Sequence, residues 1–118
     1  MSFVRIILHL NFSKKDKAIS YVQKLLAKNS LDASDFKIEA YPKFDSQFRA
    51  SFLIEMAAHS DEGRVFEILQ LTNLLIEQAR KEITVIGPSR EGESLEFETI
   101  VTCPEGIIPW AQFEITHA

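Results

Sequence analysis

Two pairs of glutamates, Glu91 with Glu93 and Glu96 with Glu98, are the groups in this chain whose type and spacing could do chemistry. On a strand, side chains at i and i+2 share a face, with backbones about 7 Å apart. Carboxyls that close can divide acid and base duties when they share a pocket. Nothing in the sequence marks such a pocket, so an acidic, solvated face is the expectation. The three histidines, His9, His59 and His117, are far apart, and no HxxxH or HExxH pattern joins them. With a single cysteine, Cys103, the chain offers no zinc constellation and no internal disulfide. A thiol becomes a nucleophile when a base lies beside it, and the sequence nominates none for Cys103. A buried structural thiol at a strand end is expected there. There is no GxSxG, no GxGxxG and no phosphate loop, and the four glycines are isolated.

The missing motifs point to a protein that is not an enzyme and has no cofactor and no metal. The bulk properties narrow the class further. A chain of 118 residues, 46% hydrophobic and 25% charged, suits one domain over residues 1–118 with a single core. A formal net charge of −4 disfavours a nucleic-acid partner, which calls for a surplus of Lys and Arg. Lys14, Lys15 and Lys17 cluster on one helical turn and read as a solvated face. The N-terminus Met1-Ser2-Phe3-Val4-Arg5 lacks a basic leader followed by an apolar stretch. The run Ile6–Leu10, broken by His9, is too short to span a bilayer. A cytoplasmic protein with no membrane partner is expected. The sequence does not set its oligomeric state.

The elements that must position these residues follow from periodicity. Phe3 to Phe12 alternates, with Val4, Ile6, Leu8, Leu10 and Phe12 wholly apolar, and so predicts a central strand. Ser13 stands where an N-cap belongs, and Ala18, Tyr21, Val22, Leu25 and Leu26 line one face of a helix ended by Asn29-Ser30. Strands over about Phe36–Tyr41 and Phe48–Met56 form a hairpin across a connection at Lys43–Gln47. A cap signal at Ser60 opens a long helix over about Asp61–Arg80. Its stripe of Val65, Ile68, Leu69, Thr72, Leu75, Ile76 and Ala79 is widened by Phe66, Leu71 and Leu74, so it should be the more buried helix. Ile83–Ile86 is a short strand ended by Gly87-Pro88, and Ser89–Ser94 is a turn or loop. Leu95–Thr102 and Trp110–Thr116 are the closing strands.

The order β-α-β-β-α-β followed by two strands matches a ferredoxin-like α+β core, with both helices on one face of a mostly antiparallel sheet. The additional C-terminal pair would extend that sheet at an edge. The opposite parity then builds a second face carrying Arg5, His9, Tyr41, Arg49, Glu55, Glu96, Glu98, Trp110, Gln112 and Glu114. Trp, Tyr and Arg are enriched at binding hot spots, which makes this a candidate interaction surface.

The chain resembles the small cytoplasmic immunity proteins that protect bacteria from polymorphic or contact-dependent growth-inhibition toxins. The likeness lies in size, acidity, the absence of catalytic groups, and the closing pattern Leu95-Glu96-Phe97-Glu98 followed by Trp110-Ala111-Gln112-Phe113-Glu114-Ile115. It implies a protein that binds a toxin domain, often a nuclease, and blocks its active site. Read beside the concentration of acid in the C-terminal third, the expected partner is a basic protein surface. It would be met by Glu91, Glu93, Glu96, Glu98, Trp110 and Glu114. The alternative is a small ligand-binding or regulatory module of ferredoxin-like fold, joined as a dimer through its sheet.

Overall fold

A computed structural model describes residues 1–43 and 47–117. The chain runs β1 (Ser2–Leu10), α1 (Lys15–Lys28), β2 (Ala33–Ala40), β3 (Phe48–Glu55), α2 (Asp61–Leu75), β4 (Glu82–Glu91), β5 (Ser94–Thr102) and β6 (Trp110–His117). The connection expected at Lys43–Gln47 falls mostly on residues 44–46, outside the described residues.

The six strands form one sheet in the order β2-β3-β1-β6-β5-β4, and every neighbouring pair is antiparallel. The α+β class and the antiparallel sheet are as the periodicity predicts, but the placement of the last three strands is not. β4 does not pair with β1, as it would in a βαββαβ core closed by its sixth element. The link through α2 carries the chain past three strand positions to the far edge, and β5 and β6 return by hairpins to fill the gap. The C-terminal pair is therefore inserted into the sheet rather than added at its edge.

One physical reason for β4's position lies in its own sequence. Pro88 has no N–H to give a ladder, which confines its strand to an edge or a bulge. β4 has both, since it pairs with β5 alone and its register shifts between Ile86 and Ser89. Gly87 sits at φ +94°, with the carbonyl of Glu96 so near that any side chain there would collide. The strand continues beyond this bulge to Glu91. The segment expected to be a loop at Ser89–Ser94 is thus mostly strand, closed by a tight turn at Gly92-Glu93.

The inner face is built by the predicted parity. Val4, Ile6, Leu8 and Leu10 of β1, Ala50, Phe52 and Ile54 of β3, Leu95, Phe97, Thr99 and Val101 of β5, and Ala111, Phe113 and Ile115 of β6 are all buried. Both helices supply the same core, α1 through Ala18, Val22, Leu25 and Leu26, and α2 through Ile68, Leu71 and Leu75. Helices and inner strand residues thus share one apolar layer. A hydroxyl pair crosses it. Thr72 donates to the carbonyl of Ile68 at 2.7 Å, so Thr99, 2.8 Å away, is left to donate to Thr72.

Four local expectations need correction. Ser13 does not cap α1; Lys14 occupies the N-cap without a side-chain bond, and Asp16 in the first turn meets the helix's positive end instead. β2 begins at Ala33 and carries a bulge between Ser34 and Lys37. α2 is capped as predicted, by the Ser60 hydroxyl accepting from Gly63 N–H, but it stops at Leu75. There Ile76 turns into the core, and Gln78 clamps Ile108 by accepting its N–H at 2.7 Å and donating to its carbonyl at 2.9 Å. Finally, α2 is the less exposed helix, but it fully buries four residues, as α1 does, and its widened stripe is not all core. Phe66 is 61% exposed, Leu74 and Ala79 face solvent, and Leu69 is only half-buried. A cavity penalty on truncation therefore belongs to Ile68 rather than to Leu69.

The two helices leave part of the inner face bare. Six strands at ~4.8 Å spacing span about 24 Å, while two helices about 10 Å wide cover about 20 Å. Both edge strands are incompletely covered: Phe36 of β2, stacked on Phe52, is 37% exposed, and β4 is barer still. Its Ile83 and Val85 stand opposite Val101 and Thr99 of the inner set, yet are 36% and 49% exposed.

Candidate functional site

No described helix lies over the outer face of the sheet, and the strand registers fix its pattern. Across β3, β1, β6 and β5, one row reads Arg49–His9–Trp110–Thr102. The next reads Ser51–Ile7–Gln112–Ile100. The third reads Leu53–Arg5–Glu114–Glu98 and continues onto β4 at Ile86. Most of these side chains are half-buried, because each leans on its cross-strand neighbours.

The first row ends in an aromatic cluster. The His9 ring lies between Tyr41, with centroids 4.4 Å apart, and Trp110 at 4.7 Å, both tilted by a little under 40°. Such offset rings attract through their quadrupoles. Burial, together with the nearby Arg49 charge, pushes the His9 imidazole below its ordinary value, which favours the neutral ring in the stack. These rings border a hollow of about 600 Å³ that includes Gln47, Arg49, Thr102, Pro104 and Pro109. Trp110 is thus a half-buried member of an aromatic stack on the outer face, at the last pair of the β1–β6 ladder.

The third row carries the acid. Glu98 and Glu114 stand directly opposite each other on β5 and β6, and Gln112 Nε2 donates to Glu98 Oε2 at 2.9 Å. Burial raises the Glu114 carboxyl above the usual range. Its hydrogen bond to Glu98 and the Glu98 charge raise it further, against a smaller opposing pull from Arg5. With Glu96, the pair borders a hollow of about 360 Å³ between Ile86, Gly87, Ser89 and Ile115. The expectation that no pocket accompanies the Glu96–Glu98 pair is therefore not met. None of the described residues bordering this hollow is a His, Cys or Lys that could serve as base or nucleophile beside them. Three carboxylates around one opening suit a cationic group.

The raised Glu114 carboxyl has a consequence for stability. Its proton is held more tightly in the folded than in the unfolded chain, so its contribution is fully present below the ordinary carboxylate value. That contribution is lost as pH rises through the raised one. Glu114→Gln is expected to be slightly more stable than the parent at neutral pH, by less than about 1 kcal/mol for a solvent-screened pair. The difference should vanish as pH falls below the carboxylate range. Urea titrations at several pH values check this, and a variant less stable at neutral pH would refute the sign.

The sequence-nominated residues divide into two places. Glu96, Glu98, Glu114 and Trp110 come from β5 and β6, with Glu98, Glu114 and Trp110 set on the outer face by register. Glu91 and Glu93 do not join them; they stand exposed at the tip of the β4–β5 hairpin. The alternation along each strand implied the members of the outer face, but it missed the Glu98–Glu114 confrontation, which depends on register between strands. The same alternation places Ile7 and Ile100 on this face, where register makes them its aliphatic centre.

Elsewhere, Cys103 is buried just past β5, with Sγ 3.6 Å from the Ala79 carbonyl. Among the described residues, no three His, Cys, Asp or Glu side chains stand close enough to hold a metal ion. No described helix is long and apolar enough to cross a membrane. Compared with known proteins, the chain matches no family model, no curated protein and no solved structure.

Proposed function

We propose that this chain is a cytoplasmic binding protein without catalytic activity, an immunity-type inhibitor that neutralises a basic toxin domain by docking on it through the outer sheet face. The observation that carries this reading is the composition of that face. An aromatic anchor at Trp110, an aliphatic centre at Ile7 and Ile100, and an acidic end at Glu96, Glu98 and Glu114 lie together on strands, with no described helix over them. Rigid strands hold such a constellation with little loss of side-chain freedom on binding. A nuclease-type target has a positive active site for phosphate, and a patch of carboxylates opposes it by charge and fixes orientation. The experiment is co-expression with the toxin gene neighbouring its own: cells should survive with this protein and die without it. Equal death in both cultures would overturn the reading.

A second reading is a small ligand-binding or regulatory module, dimeric through the sheet. It draws support from the aromatic hollow beside His9, which is large enough for a small planar molecule. Native mass spectrometry of protein from its own host separates the two: a retained small molecule favours this module, and a retained basic protein favours the inhibitor.

A further inference from the structure

The two edges of the sheet are treated differently. β2 is guarded by its bulge, by Asp35 at φ 52°, and by the charges of Asp35, Lys37 and Glu39. These are the usual devices against unwanted strand pairing. The first half of β4 has no bulge, and between Glu82 and the bulge it presents Ile83, Thr84, Val85 and Ile86, with Ile86 46% exposed. Strand pairing supplies β4 with a partner on one side only, at β5. Its outward backbone donors and acceptors are therefore a template for another strand. On the inner side the apolar margin continues into a hollow of about 470 Å³ between Val65, Phe66 and Leu69 of α2 and Pro88 and Leu95. Arg90 closes its rim by a two-pronged pair with Asp61, at 2.6 and 2.7 Å.

We propose that the free edge of β4 docks one extended segment of a partner protein, which joins as a seventh strand and sets an apolar side chain into the hollow beside Phe66. This rests on the reading of the chain as a binding protein and deepens it by naming what the partner offers. Backbone hydrogen bonding demands an extended segment. The inner side of the edge, with Ile83, Val85 and the hollow, asks for apolar residues at alternate positions. The other side is acidic. Glu82 belongs to the outer face, Glu98 stands in the next strand opposite Ile86, and Glu91 and Glu93 lie at the hairpin tip, so the intervening partner residues are Lys or Arg. Charge reversed in sign would be repelled along the same line. Glu91 and Glu93, which stand apart from the sheet-face cluster, thereby acquire a place in the interaction.

The test uses the full chain, isotope-labelled for NMR, and a synthetic peptide of alternating Val and Lys. Its twin is identical but N-methylated at alternate residues, so charge and composition persist while the ladder cannot form. The parent peptide should shift the amides of Ile83 to Ile86 and of Val65, Phe66 and Leu69, and slow hydrogen exchange in β4. The methylated twin should bind at least about tenfold more weakly. Phe66→Ala should also weaken capture, and since Phe66 is exposed, the fold should survive the change. Equal binding of the two peptides would mean mere charge attraction and overturn the proposal. So would shifts mapping to Ile7, Gln112 and Ile100, no shift at millimolar peptide, or a peptide-free dimer that pairs β4 with itself. An edge that captures the peptide while co-expression gives no protection would remove the immunity reading alone. Protection without peptide capture would remove the edge site alone.

Discussion

Phe113→Ala should destabilise the fold by about 3–5 kcal/mol, the range for truncating a fully buried aromatic and leaving a cavity. Phe113 is wholly buried in β6, flanked by Ile6 of β1 and Thr99 of β5, at the junction where the inserted C-terminal strands meet the first strand. A domain of this kind has about 5–15 kcal/mol in all, so the loss is a large share of the total. The control is Phe66→Ala, the same chemical change at an exposed position, which should stay within about 0.5 kcal/mol. Urea titration of both variants measures the contrast. A loss at Phe113 below about 1 kcal/mol would mean that β6 does not lie inside the sheet.

The second large effect concerns the partner. Reversing Glu96 and Glu98 together to Lys should weaken binding to the proposed partner, a basic toxin domain, by at least about tenfold, or ~1.4 kcal/mol. Reversing Lys14 and Lys15, at the start of α1, should cost less. The difference follows from geometry: Glu98 is half-buried on the outer face beside Glu114 and Gln112, whereas both lysines are exposed on the helix side of the molecule. Misfolding does not explain such a loss, because a lysine at position 98 would meet Glu114 across the strands as an opposite charge rather than a like one. Much of the effect should appear in the association rate. That rate should also fall with salt, since the Debye length shortens to about 8 Å at physiological ionic strength. Surface plasmon resonance on both double variants decides the matter; equal losses, or a larger one from the lysine pair, would place the interface elsewhere.

Which side chains face inward was legible from local periodicity. Val4 to Leu10, Phe48 to Met56, Leu95 to Val101 and Ala111 to Ile115 alternate with a period of two, and α1 repeats at three and four. Such periods are set by local backbone geometry, so they can be read without knowing what pairs with what. The outer-face membership of Glu98, Trp110 and Glu114 came from the same source. Pro88 held a further local signal, since a proline inside a strand marks an edge, although Gly-Pro equally suits a strand's end.

The order of the strands was not legible in this way and emerged with the folded sheet. A hydrogen-bond ladder is chemically alike for any two strands, and the pairing of Ser2 with His117 joins nearly the whole length of the chain. That order sent β4 to the rim, set Glu98 against Glu114, and brought Arg90 to Asp61. It also decided the exposure of Phe66, Leu74, Ile83 and Val85. Hydrophobicity alone assigned the two helical residues to the core. They stand outside it because they lie on flanks of α2 that border open hollows, and no residue in the sequence records which neighbours will pack beside it.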